Sequence, residues 1–320
     1  MERSCLSRTA SFLFLYLRFM FSSEKLVECV PNFSEGRDNA KMERIVDCFR
    51  GVDGVKLLDY SNDVSHNRMV ITAVGSPEAM KKVVVNAIST AVREIDLNQH
   101  RGEHPRMGAA DVVPFIPIRN MTMDEAVQLA KEVAAEVAAA NDLPIYLYEK
   151  AASAPYRENL TDVRKGQFEG LVQKMNDPLW EPDFGPSTPH PTAGATIIGA
   201  RNFLIAWNVN LNTDNLEIAK AIAKKVRFSS GGFPCVKAMG IYLADKGQAQ
   251  VSMNLTDFTQ TSMHQVFDFI REEAASHGVS IDCTEVIGML PLEAVADTTG
   301  RYLQIKDFSK NRILENRLLE

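Results

Sequence analysis

The chain spells one succession of elements twice. From Lys25, LVECV (Leu26 to Val30) has the length and β-branched content of a buried strand. MERIVDCF follows, with Met42, Ile45, Val46 and Phe49 at helical spacing, and VKLLDYS and RMVITAVG then read as two strands. Ser76-Pro77 supplies an N-cap and a first-turn proline. They open a helix whose stripe is Met80, Val83, Val84, Ala87, Ile88, Ala91 and Ile95, and Val112 to Ile118 closes the set as a strand. The second half repeats the order. NFLIAWNVNL (Asn202 to Leu211) is a strand, and Asp214-x-x-Glu217 caps a helix bearing Ile218, Ala219, Ile222 and Val226. VKAMGIYLA and AQVSMNLTDF are strands, Ser262-x-x-Gln265 caps another helix, and SIDCTEVIGML ends the unit.

Both halves therefore predict β-α-β-β-α-β, the split βαβ or ferredoxin-like order, and a mixed α/β (α+β) fold. The first half adds a helix opened by the capping box Thr122-x-x-Glu125, and the strand PIYLYE (Pro144 to Glu149). Such a unit carries its helices on one sheet face. The other face needs cover, which the matching half could supply, and a cleft between two such sheets is a natural ligand site. At 320 residues, and about 100–200 per domain, two domains are expected, 25–201 and 202–320.

Residues 1–24 stand outside this pattern. The apolar run Phe12 to Phe21 is interrupted by Arg18 and falls short of the roughly 20 residues that a bilayer span needs, so no membrane association is expected. It reads as a disordered leader or an over-long start, with a signal h-region as the alternative. A net charge of -6 offers no chain-wide basic field for nucleic acid. Cys5, Cys29, Cys48, Cys235 and Cys283 form no C-x-x-C pair, which argues for free thiols in a reducing cytoplasm over a disulfide scaffold or a zinc site.

Four segments are candidates for chemistry. RGEHPRMGAAD packs Arg101, Glu103, His104 and Arg106 between Gly102 and Gly108, and Pro105 biases His104 toward extended backbone. A histidine is the side chain best suited to move protons near neutral pH, and arginines hold carboxylates by bidentate contacts. A salt-bridged surface loop explains the same residues equally well. His100 is the nearest rival to His104. VECVPNFSEGRD ends a strand at Pro31 and continues as a polar turn through Asn32, Ser34, Glu35 and Arg37; it is a ligand-bearing strand end or a plain connector. SNDVSHNRMV, with Asp63, His66, Asn67 and Arg68, reads first as a hairpin and second as site lining. DPLWEPDFGPSTPHPTAG (Asp177 to Gly194) lies between the halves and is too rich in proline and glycine for helix or central strand. It is a linker or a functional loop, and Trp180 and Phe184 imply that part of it packs. No Walker, Rossmann, nucleophile-elbow or zincin motif is present.

In VECVPNFSEG, HRGEHPRMGAADVVPFIP and DFGPSTPHPTAGATIIGARNFLIAWNVNL the chain resembles the glutamate formimidoyltransferases of histidine degradation, from about Lys25 to at least Leu290. The resemblance implies two similar subdomains whose sheets face each other across a folate-binding tunnel. It implies His104 as the catalytic residue. It implies a folate-contacting segment made of Gly185, Pro186, Ser187, Thr188, Pro189, His190, Pro191, Thr192, Ala193 and Gly194, whose middle departs from the family pattern at His190 and Thr192. Arg68 and Arg106 are expected as carboxylate clamps, with Asn32 in the substrate site. A family acidic position falls on Ser61, so Asp59 or Asp63 would have to supply it. N-formimidoyl-L-glutamate and tetrahydrofolate are the implied substrates, with no metal, in a cytoplasmic homodimer of the single-activity type that lacks a cyclodeaminase domain. The alternatives are a transferase using 5-formyltetrahydrofolate with glutamate as acceptor, and a non-catalytic folate-binding protein.

Overall fold

The computed structural model describes residues 24–64, 66–102, 105–244, 246–306 and 308–314. The readings of residues 1–23, Glu103 and His104 lie outside this set. The chain divides into two compact units after Arg201.

In the first unit the opening strand is split. β1 (Leu26–Cys29) and β2 (Asn32–Phe33) both pair antiparallel with β4 (Arg68–Gly75) and β5 (Ala110–Arg119). Pro31 has no N–H to donate, so the ladder breaks there, but its carbonyl still accepts from Ile71 N at 3.0 Å. The strand therefore does not end at Pro31, as the sequence suggests; Asn32 and Phe33 resume it. β3 (Val55–Asp63) pairs with β4, and the order β3-β4-β1/β2-β5 is the ferredoxin-like arrangement. Beyond β5 the sheet continues through β7 (Thr196–Ala200) to β6 (Ile145–Glu149), both parallel. β7 is absent from the sequence reading. Its insertion means that residues 177–194 do not link the two halves; they are an internal loop of the first unit.

Side-chain alternation sorts this sheet into two faces. Val27, Cys29, Phe33, Met69, Ile71, Ala73, Val113, Phe115 and Ile198 face the helices α1 (Asn39–Val46), α2 (Pro77–Glu94) and α3 (Met123–Asn141). Ser76 caps α2 as expected, and Thr122 and Glu125 close a reciprocal capping box on α3. At the β5-β7-β6 end the opposite face is covered by the short helices α4 (Leu160–Arg164) and α5 (Leu171–Met175), packed on Val112, Tyr146, Tyr148 and Ile197.

Glu28 also points to that opposite face, only 4% exposed. Burial raises its carboxyl from the usual 4.5 to about 7, and the Arg201 guanidinium offsets this only in part. The folded state thus holds this proton more tightly than the unfolded chain. Stability from this group is complete below pH 4.5 and is lost as pH rises to about 7. The loss amounts to as much as about 3 kcal/mol. Glu28→Gln should match wild type in denaturant unfolding at pH 5 and exceed it at pH 8; parallel pH profiles for the two proteins would refute this.

The second unit is the same motif without the extension. β8 (Ile205–Leu211), β9 (Val236–Leu243), β10 (Gln248–Leu255) and β11 (Ile281–Ile287) pair antiparallel in the order β11-β8-β10-β9. α6 (Leu216–Val226) and α7 (Met263–Ser276) bury Ala219, Ile222, Val226, Val266, Ile270 and Ala274 in one core with β8, β9 and β10. Ser262 and Gln265 form the expected capping box. The cap of α6 is Asn215 rather than Asp214, because Asn215 Oδ1 reaches Glu217 N at 3.0 Å and the helix starts one residue later. α8 (Leu292–Tyr302) was not foreseen from sequence. Among the described residues no helix is long and apolar enough to cross a membrane.

Candidate functional site

Three of the sequence motifs meet in the first unit at one crevice. β2 contributes Asn32 and Phe33, the β3–β4 hairpin contributes Asn67 and Arg68, and the segment after α2 contributes His100, Arg106 and Asp111. The crevice is a gap too narrow for a water-sized sphere, with about 190 Å³ of space between atoms, part of it open to solvent. Hairpin and site lining are thus one feature, since Asp63 and Arg68 are paired across the turn and Arg68 faces the crevice.

Its walls are tied by short polar contacts. Asn67 sits at φ 50°, in the left-handed region that asparagine tolerates better than most residues. Its side chain accepts from Gly36 N at 2.9 Å and donates to Arg101 O at 3.1 Å. Ser34 Oγ donates to Gly108 O at 2.7 Å. A Cβ on Gly102 would stand 2.3 Å from His66 O, so this loop runs directly against the hairpin turn.

His100 is 6% exposed, and both of its ring nitrogens are engaged. Nε2 lies 2.9 Å from Asn67 O, which can only accept, and Nδ1 takes the Arg106 Nε hydrogen at 3.1 Å. Those two partners require the neutral ring with its proton on Nε2. Burial pushes its pKa down, in keeping with that form. His100 is a strut between the hairpin and Arg106, not a free proton carrier, so it no longer competes with His104.

Arg106 is 7% exposed and its fork is taken by a carboxylate of the chain itself. Nη1 and Nη2 donate to Glu169 at 2.9 and 2.7 Å. Glu169 is 64% exposed at its side chain, and this pairing holds its carboxyl below the usual range. Arg68 is half-buried, and desolvation, aided by the nearby Arg164 cation, lowers it to about 10, so it still carries its charge at neutral pH. Asp111 accepts from Met107 N at 2.7 Å and from Arg164 at 2.6 Å. Arg164 and Glu169 were missed in the sequence; they lie more than fifty positions from their partners, and no local pattern joins them. Asp59, Ser61 and Asp63 are all exposed.

The proline-rich loop is built on Arg157. This side chain, 5% exposed, donates to Asp183 at 2.9 Å and to the carbonyls of Leu179 and Glu181 at 2.7 Å each. Trp180 packs against Tyr146 and Tyr156, and Phe184 packs on the main core, so both aromatic residues are tucked in as expected. Gly185 has φ +85° with Leu143 O 2.3 Å from where its Cβ would be, and Gly194 has φ +70° with Met107 O at 2.2 Å. Backbone geometry alone demands glycine at both. His190 Nδ1 accepts from Ala193 N at 3.0 Å and from Thr192 N at 3.3 Å, so it braces the loop. Gly185, Ser187, Thr188 and Pro191 are exposed, Pro186, Pro189, His190 and Thr192 are half-buried, and Ala193 and Gly194 are buried. The loop then zips onto the crevice segment. Ala109 N donates to Ala193 O at 2.9 Å, Ala195 N donates to Met107 O at 3.1 Å, and Gly108 bridges Gly194.

Comparison with known proteins adds independent findings. Residues 26–201 match the model of the formiminotransferase domain, N-terminal subdomain, and residues 206–318 match that of the formiminotransferase domain. A glutamate formimidoyltransferase of Streptococcus pyogenes serotype M1 is 47% identical over 296 residues, covering 92% of this chain and 99% of that protein. One from Thermoplasma acidophilum is 44% identical over 295 residues, covering 92% and 97%. The formimidoyltransferase-cyclodeaminase of Rattus norvegicus is 40% identical over 306 residues, which span 92% of this chain and 56% of that protein.

Proposed function

Because the chain belongs to the formiminotransferase family, we propose that it is a glutamate formimidoyltransferase. It transfers the formimidoyl group of N-formimidoyl-L-glutamate to tetrahydrofolate, giving 5-formimidoyltetrahydrofolate and L-glutamate. The observation that carries this reading is 47% identity along 99% of a glutamate formimidoyltransferase.

N5 of tetrahydrofolate attacks the amidine carbon. The C–N π pair moves onto nitrogen and a tetrahedral intermediate forms. N5 must then lose a proton, and the glutamate nitrogen must gain one before its bond to carbon breaks. We assign both transfers to His104, a role worth about 10²–10⁴-fold. Support comes from its neighbours: Gly102 abuts the hairpin turn and Arg106 lines the crevice. Arg68 and Arg106 are the proposed carboxylate clamps. For Arg106 this means exchanging the exposed Glu169 for the substrate's carboxylate. The segment Gly185 to Gly194 is the proposed folate contact, with Ser187 and Thr188 exposed and able to touch a ligand. Holding the two reactants in attack geometry contributes up to roughly 7–11 kcal/mol. The chemistry as written asks for no metal. A homodimer in the cytoplasm is the setting that the family resemblance and the free thiols at Cys29, Cys48, Cys235 and Cys283 support.

The test is direct. Purified protein with N-formimidoyl-L-glutamate and tetrahydrofolate should release L-glutamate and form the folate adduct in equal amounts, read by mass spectrometry. Turnover only with 5-formyltetrahydrofolate and glutamate, or folate binding without turnover, would overturn the assignment.

A further inference from the structure

We propose that Asn32 selects the transferred group by its nitrogen, its side-chain oxygen accepting a hydrogen bond from the N–H on the formimidoyl carbon. This deepens the transferase reading and rests on it.

The orientation of the amide is set by its neighbour. Asn32 Nδ2 donates to Val30 O at 2.8 Å, and a carbonyl can only accept, so the flipped amide would set oxygen against oxygen. Oδ1 is therefore the free end. It is buried without a hydrogen-bond partner among the described residues, on a side chain only 5% exposed that lines the crevice. Buried amide oxygens are rarely left unpaired, and each one that is marks a cost that a donor would remove. The backbone that carries the amide is fixed on both sides. Asn32 is held in β2 between Val70 of β4 and Val112 of β5, with Pro31 before it and the fully buried Phe33 after it.

The crevice thus offers a fixed acceptor that wants a donor. The terminal nitrogen of a formimidoyl group bears at least one hydrogen in each of its forms: neutral imine, amine tautomer or amidinium. A formyl group has an oxygen at that position and no hydrogen. Against Asn32 Oδ1 it would place two acceptors face to face. Sites that present a buried polar group to a substrate hydrogen reject the analogue that lacks it far better than apolar pockets reject a missing methylene.

N-formimidoyl-L-glutamate and N-formyl-L-glutamate are the probes. In wild-type protein the formyl compound, measured as a competitive inhibitor and as a donor, should be at least about 10-fold poorer than the formimidoyl compound. Equal binding of the two by wild type would overturn the proposal without any variant. Asn32→Ala should reduce the preference about 10- to 100-fold, by loss on the formimidoyl donor while the formyl compound holds or improves. Asn32→Asp, which keeps an acceptor in place, should retain the preference. A preference unchanged in Asn32→Ala would show that this side chain does not select the group, and a preference lost equally in both variants would show that the Val30 tether matters and the acceptor does not. If wild type transfers nothing from N-formimidoyl-L-glutamate, the activity itself is misassigned; if it transfers from both compounds alike, only the role of Asn32 fails.

Discussion

His104→Ala should lower formimidoyl transfer about a hundredfold or more while tetrahydrofolate binding persists. The reaction needs one proton removed and one delivered within a single intermediate. A histidine near its ordinary pKa serves both steps. The competing histidines of the first unit are accounted for by geometry. His100 has both ring nitrogens bound to fixed partners, and His190 spends Nδ1 on two backbone amides of its own loop. His66 sits 3.0 Å from Asp63 on the exposed hairpin turn. A general base must be able to release and retake a proton, and His100 cannot do so without breaking the strut that sets Arg106. Its replacement should therefore act through stability, whereas loss of His104 should act on kcat. Turnover of His104→Ala within about threefold of wild type, at unchanged folate affinity, would remove the base from the mechanism.

Arg157→Ala should cost about 3–5 kcal/mol, because it strands the Asp183 carboxylate in a site that water barely reaches. The ion pair spans 2.9 Å with both side chains nearly sequestered, and the same guanidinium holds two carbonyls of the chain between Leu179 and Glu181. Asp183 in turn accepts from Leu147 N on β6 at 2.7 Å, so the charge pair joins the backbone bonds between Ile145 and residues 183 and 184 in fastening the loop to the sheet. A drop of roughly 6–20 °C in the melting temperature of the unit is expected. Tetrahydrofolate affinity should fall with it, since Gly185 follows directly on the tethered stretch. The double variant Arg157→Ala with Asp183→Ala should recover part of the loss, because no charge is then left unpaired. A melting temperature unchanged by Arg157→Ala would show that aromatic packing and the backbone bonds to β6 hold the loop without the charge pair.

The ferredoxin-like order was legible because each element carries its own local signal. Ser76-Pro77 and Thr122-x-x-Glu125 are caps whose hydrogen bonds form within three residues, and the structure contains both. The stripe from Met80 to Ala91 follows from helical periodicity and is buried throughout. Where local signals compete, sequence alone does not choose between them. Asp214 and Asn215 are both good caps, and the choice between them depends on how the chain leaves β8. β7 is a short apolar run after a glycine, indistinguishable by itself from buried coil. Only its two parallel neighbours, β5 and β6, make it a strand.

The site divides along the same line. Which residue types are present, and in which motifs, is written in the chain: His100, His104 and Arg106 in one, Asn32 in a second, Gly185 to Gly194 in a third. What each side chain is free to do was decided by partners far away in sequence. Glu169 occupies the Arg106 fork, Arg164 holds Asp111, Asn67 O orients the His100 ring, and Val30 O takes the amide nitrogen of Asn32 and leaves its oxygen unpartnered. Caps and stripes depend on backbone contacts a few residues apart, so a linear string encodes them. Protonation, orientation and satisfaction of a buried polar atom depend on whatever the fold brings within about 3 Å of it, and that is settled only when the sheet closes.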